Sequence, residues 1–129
     1  MNENLKLELF KTLLGCNNDN QSSIPLNCID NEFIGKYCVI RTYSAGVWAG
    51  IVDKKYKDEI ILKDARRLWR WKTKESISLS AIALSGLDYC GSKICEKLDM
   101  VWLQPIEIIP CTNNASESIK LAPVCEAEQ

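Results

Sequence analysis

Apolar and polar positions recur with two different periods along this chain, and the change of period marks its elements. Over 3–15, Leu5, Leu9, Phe10 and Leu13 return at helical spacing, with Leu14 beside them. Asn2 or Asn4 can cap this run and Gly15 can stop it, which predicts an amphipathic helix. The next stretch, 16–30, is rich in Asn and Ser and reads as a polar linker. From Gly35 the period falls to two. Tyr37, Val39 and Arg41 alternate with Cys38, Ile40 and Thr42, and Tyr43-Ser44-Ala45-Gly46 makes a turn with glycine placed for a positive φ. Val47 to Val52 returns as a second strand. A polar turn at Lys54-Lys55-Tyr56-Lys57 leads to a third that opens on Glu59 to Leu62. Three strands joined this tightly predict an antiparallel meander, whose third strand is expected to carry the Arg/Trp run from Arg66 to Trp71 past the edge of the sheet.

Beyond it, Ser76 to Leu87 predicts a helix: Ser76 or Ser78 can cap it, Leu79, Ile82 and Ala83 form its stripe, and Gly86 ends it. Leu87 to Lys97 reads as a loop. Leu98 to Ile109 reads as a strand pair or one bent strand, with Pro105 at the bend or an edge. A short helix is expected between Asn113 and Pro123. Together these predict an α+β fold: a small curled antiparallel sheet of five or six strands, an N-terminal helix, and one or two packed helices. The chain reads as a single domain over 1–129, with a β-rich core at 34–112 and a tail at 113–129.

The formal charge is −1 over 129 residues, which excludes a generally basic nucleic-acid coat. That average hides a split. Lys54 to Lys74 holds nine Lys/Arg and three Asp/Glu, an excess of +6, so the remainder carries −7. One basic face on an acidic protein is where an anionic partner would dock. The sequence has no histidine, which excludes Ser-His-Asp and Cys-His nucleophile systems. No cofactor is implied. The seven cysteines are widely spaced, and Cys90 and Cys95, the one close pair, lack a second pair to complete a zinc site. With no apolar run of membrane-spanning length and no signal peptide, a cytoplasmic protein with free thiols is expected.

The stretch with the most chemistry is Asp58 to Lys72, where three aliphatic residues give way to three arginines interleaved with two tryptophans. If Leu62 to Lys72 is one regular strand, Arg67, Trp69 and Trp71 share one face, and Arg66, Leu68, Arg70 and Lys72 the other. Guanidinium forks suit phosphate oxygens and indoles suit planar bases, so Arg66, Arg67, Trp69 and Trp71 are candidate ligand contacts. A bulge at Asp64-Ala65 would favour Arg66 over Arg67. The plainer alternative has the tryptophans as core or interface anchors and the arginines as a solvated edge. Around this strand, the loop bearing Tyr43, Ser44 and Gly46 could offer amides to a phosphate, or be only a hairpin turn. Arg41 leads into it and could equally be salt-bridged. Lys93 could reach an anion, and Trp48 and Trp102 read as core.

Four segments carry a resemblance: Ile34 to Tyr37, Val39 to Val47, Ala65-Arg66-Arg67-Leu68-Trp69-Arg70-Trp71, and Glu107-Ile108-Ile109-Pro110-Cys111-Thr112. They resemble a small family of bacteriophage and prophage domains over about Ile34 to Ile119. That family includes or adjoins the phage anti-defence sponges, which sequester the cyclic ADP-ribose signal of the Thoeris system, and some of which hold cyclic oligonucleotides of CBASS. The resemblance implies a non-enzymatic binder of a small-molecule nucleotide signal, built as a homodimer or higher homo-oligomer, with no membrane association. The acidic tail and extra cysteines depart from the family pattern. Two other readings stay open: a phage DNA- or RNA-binding module on the same basic strand, and an inhibitor that docks on a host enzyme through its tryptophans.

Overall fold

The computed structural model describes residues 29–126. The N-terminal helix expected over 3–15 lies outside the described residues. Chain contacts divide the molecule into two units, Met1–Asn31 and Glu32–Gln129, and the second carries the sheet.

Five antiparallel strands form that sheet: β1 (Tyr37–Thr42), β2 (Val47–Tyr56), β3 (Glu59–Arg70), β4 (Lys93–Leu103) and β5 (Pro105–Pro110), in the order β4-β3-β2-β1-β5. Two helices accompany them, α1 (Leu79–Ser85) and α2 (Asn113–Lys120). The α+β expectation holds, with the sheet left unclosed. Strands β4 and β5 are its two edges, yet only Gln104 separates them in sequence. A flat sheet could not meet that link, so this one curls until its edges approach.

Alternation along the strands then builds two cores. Cys38, Ile40, Trp48, Val52, Ile60, Leu62, Ala65 and Leu103 cluster on one face, inside the curl. Tyr37, Val39, Ala49, Leu68 and Ile94 face the other way and meet Ile82 and Ala83 of α1 and Ile119 of α2. Each fully buried aliphatic side chain contributes roughly 1.5–3 kcal/mol.

The helices are short and depend on their caps. Ser78 Oγ accepts from the Ala81 amide at 3.1 Å, and Gly86, at φ +88, ends α1 by donating to the Ile82 carbonyl at 2.9 Å. Both capping residues were legible beforehand. Thr112 does two jobs: its Oγ1 accepts from the Ala115 amide and donates to the Leu84 carbonyl, tying the start of α2 to α1.

Three expectations need correction. The stretch 87–97 is not all loop, because β4 begins at Lys93 and pairs with Arg70. The Arg/Trp run does not project past the sheet edge, because β4 flanks β3 along its whole length. Trp102 is not core: its ring is 53% exposed, and its Nε1 donates to Glu59 Oε1 at 3.0 Å. No described helix is long and apolar enough to cross a membrane.

Burial raises the pKa of three acidic groups in this sheet. The Cys38 thiol is pushed up to about 12, the Cys111 thiol to about 11, and the Tyr37 phenol rises further. Each folded-state pKa exceeds its unfolded value, so each contribution is complete below the unfolded pKa and is lost as pH rises through the folded one. Stability should therefore hold to about pH 8 and fall between about pH 9 and 12. Urea unfolding at pH 8 and pH 11 checks this, and Tyr37→Phe should blunt the loss.

Candidate functional site: the Arg/Trp strand

A bulge in β3 decides where its charged side chains go. Opposite Ala49 to Ile51 of β2, the third strand runs from Arg66 to Lys63, three steps against two. Asp64 takes up the extra residue in the left-handed region at φ 51. Leu62 consequently faces the inner core while Leu68 faces the helices. Without the bulge those two leucines would share a face, and Arg66 would point into the curl.

Arg66 instead lies under α2, only 4% exposed. Its Nε donates to the Cys95 carbonyl at 2.8 Å; its Nη1 donates to the carbonyls of Ile119 (3.0 Å), Lys120 (3.5 Å) and Ala122 (2.6 Å). A guanidinium at a helix C-terminus satisfies carbonyls that have no partner within the helix and complements the helix dipole. Arg66 is thus a fastener between β3, β4 and α2, with its Nε and Nη1 donors committed to backbone carbonyls.

Arg67 is exposed, and its guanidinium carbon lies 4.4 Å from the centroid of the Trp48 ring. The two residues are register partners across β2 and β3. The Trp48 ring is buried and fixed by Nε1 donating to the Ala45 carbonyl at 3.0 Å. Stacked this way, a guanidinium keeps its in-plane N–H edge for an incoming anion.

Trp69 lies two residues along β3, about 7 Å further. The residue is 54% exposed, with Arg70 at 5.7 Å and Lys93 at 5.6 Å from its ring centroid. This set, Arg67 on Trp48 and then Trp69 near Arg70 and Lys93, is the cluster that the fold assembles around the predicted residues Arg67, Trp69 and Lys93.

The other candidates go elsewhere. Trp71 leaves the strand, packs against the helix-side core and donates Nε1 to the Ile77 carbonyl at 2.8 Å, so it does not share the face of Trp69. Arg41 pairs with Glu107 at 2.9 Å across β1 and β5, the plainer of its two readings. Tyr43 and Ser44 line a cavity of about 460 Å³ with Trp102 and Ile106, to which neither Arg67 nor Trp69 contributes. Their loop is tied inward: Thr42 Oγ1 accepts from the Ala45 amide at 2.8 Å and donates to the Gly46 carbonyl at 2.7 Å. Gly46 turns the chain at φ +92 beside Arg67, where an added Cβ would lie 3.6 Å from Arg67 Nε. The loop therefore works as a shelf next to the arginine, with its Ala45 amide already taken.

Two participants were missed by sequence reasoning. Trp48 was read as core only, although its register opposite Arg67 makes it the arginine's support as well. Gly50, opposite the bulge, gave the signal for it: a glycine amid an otherwise apolar strand marks close backbone approach. No group of His, Cys, Asp or Glu among the described residues is placed to hold a metal ion. The thiols at 38, 90, 95, 111 and 125 are free, and burial raises the pKa of Cys95, whose side chain hydrogen-bonds that of Cys125.

Residues 35–119 match the family model of a domain of unknown function, DUF6948. No curated protein and no solved structure matches the chain.

Proposed function

We propose, for a chain that belongs to the DUF6948 family, that the Arg67–Trp69 face binds a nucleotide and retains it without chemical change. The observation that carries this reading is the half-exposed Trp69 residue, with Arg70 and Lys93 at 5.7 and 5.6 Å from its ring centroid and the Arg67–Trp48 stack two residues back along β3. A base stacks on the exposed part of the Trp69 indole, a contact worth roughly 1–3 kcal/mol. Phosphates meet the outward edge of Arg67 and the charges flanking the indole, through charge-assisted hydrogen bonds of about 1.5–3 kcal/mol each. With no histidine in the chain, the face brings cations and an aromatic ring and no imidazole for proton transfer.

Retention without turnover is the behaviour of a sponge. We place the ligand among nucleotide immune signals, a cyclic ADP-ribose isomer or a cyclic oligonucleotide, held in the bacterial cytoplasm by a homodimer or larger homo-oligomer so that anti-phage defence is blocked. Support for that role is the motif resemblance described above together with the aromatic and cationic groups of the face.

One observation favours a second reading. Trp69 does not line the cavity at Tyr43 and is half exposed, as a stacking platform for single-stranded nucleic acid would be. Salt separates the two. Calorimetric titration with cyclic ADP-ribose isomers, cyclic di- and trinucleotides and a short DNA strand, each at low and physiological salt, should show a small nucleotide binding with little salt dependence. Binding of the DNA strand alone, weakening steeply with salt as several phosphate contacts require, would replace the sponge with a nucleic-acid module.

A further inference from the structure

We infer that a second cavity, on the helix side of the sheet and independent of the Trp69 face, is a site for a small phosphomonoester. The cavity measures about 450 Å³, within the range of small-molecule pockets. Three cations line it, Arg66, Lys97 and Lys120, against one carboxylate, Asp64. Ala122 and Val124 add an apolar wall.

The charges are disposed for a guest. Arg66 is buried, and the partners of its Nε and Nη1 are neutral carbonyls, which engage those two nitrogens without cancelling its charge. Lys97 lies 3.7 Å from Asp64, and Lys120 lies 4.0 Å from Glu117. Both are long contacts between half-exposed groups, which hold an ammonium only weakly. Either lysine can turn to a dianion in the cavity at little cost, while Arg66 supplies a fixed positive field behind them.

Tyr37 adds the independent sign of a missing partner. It lines the same cavity and is 8% exposed, and its buried hydroxyl has no hydrogen-bond partner among the described residues. A buried, unsatisfied hydroxyl is unfavourable, and a ligand oxygen would relieve it. Lys120 Nζ sits 5.2 Å from the centre of the Tyr37 ring, which brings the cation and the phenol together. Asp64, at the bulge, lines the same cavity and can accept from a ligand hydroxyl once Lys97 shifts to the phosphate. The guest that fits is a phosphate carrying a compact body with an apolar or planar side and a hydroxyl.

Calorimetry on the full chain at fixed ionic strength tests this with three probes: phenyl phosphate, inorganic phosphate, and benzoate as a carboxylate of similar shape. Phenyl phosphate should bind most tightly, inorganic phosphate less, and benzoate least. Lys97→Ala and Lys120→Ala should each weaken phenyl phosphate by about tenfold or more while melting like the parent, because both lysines are exposed. Tyr37→Phe should weaken it without loss of stability. Trp69→Ala should leave it unchanged, so this inference and the nucleotide proposal can fail separately. Absence of binding by either phosphate, benzoate binding as tightly as phenyl phosphate, or a loss confined to Trp69→Ala would each overturn the assignment.

Discussion

Replacing Arg66 with alanine is expected to destabilise the domain by about 3–5 kcal/mol, a fall in Tm on the order of 15–20 °C. The loss has two sources. Four backbone carbonyls, those of Cys95, Ile119, Lys120 and Ala122, lose a charged donor under cover of α2. The space vacated between β3 and α2 also cannot be refilled by a methyl group. Arg66→Lys should recover only a minor part, since one ammonium cannot reach Cys95 on β4 and the end of α2 together as a fork does. Thermal and urea denaturation of the three proteins checks the assignment. Were Arg66→Ala to keep the parent's stability and lose only ligand affinity, Arg66 would be a ligand contact and its role as fastener would be wrong.

Gly50→Ala is expected to cost about 2–3 kcal/mol, although alanine is otherwise the mildest change at a strand position. A Cβ there would stand 2.8 Å from the Lys63 carbonyl oxygen, 2.9 Å from Leu62 Cγ and 3.1 Å from Ala65 Cα. Two of the three are backbone atoms of the bulge and cannot rotate away. Relief requires β3 to move, which disturbs the placement of both Arg66 and Arg67. The variant should therefore melt early and also bind nucleotide poorly at temperatures where it is still folded. A Gly50→Ala protein with unaltered melting would mean that the bulge does not press on β2.

How much of this was legible follows from the physics of each signal. The meander, the caps at Ser78 and Gly86, the positive φ at Gly46 and the helix near Asn113 are local, set by periodicity and turn chemistry within a few residues. All were read from the chain. The curl was expected, but its cause is topological: β5 returns to pair with β1 after a one-residue link from β4, and no local pattern announces that. The functional strand was half legible. Alternation from Ala65 to Leu68 holds against β2, which sets Arg67 opposite Trp48 with Trp69 two residues further along β3, whereas Trp71 was lost because the strand ends one residue before it. The bulge was named as an alternative that would favour Arg66 as the ligand contact; it is present at Asp64, but it carries Arg66 to the helix side and leaves Arg67 as the exposed arginine of the pair. The burial of Arg66 under α2 was not readable, because α2 lies some fifty residues downstream. A buried arginine and a ligand-gripping arginine look alike in sequence. Only the four carbonyls tell them apart.

The Trp69→Ala variant tests the central claim most directly, titrated by calorimetry with the nucleotide that binds the parent chain. Trp69 is half exposed and its indole donates no hydrogen bond to a described residue, so the fold should survive and melting should stay within a few degrees of the parent. Affinity should fall about ten- to a hundredfold, the value of one lost base stack. Parent-like affinity in a folded Trp69→Ala protein would place the nucleotide elsewhere on the molecule and contradict the account.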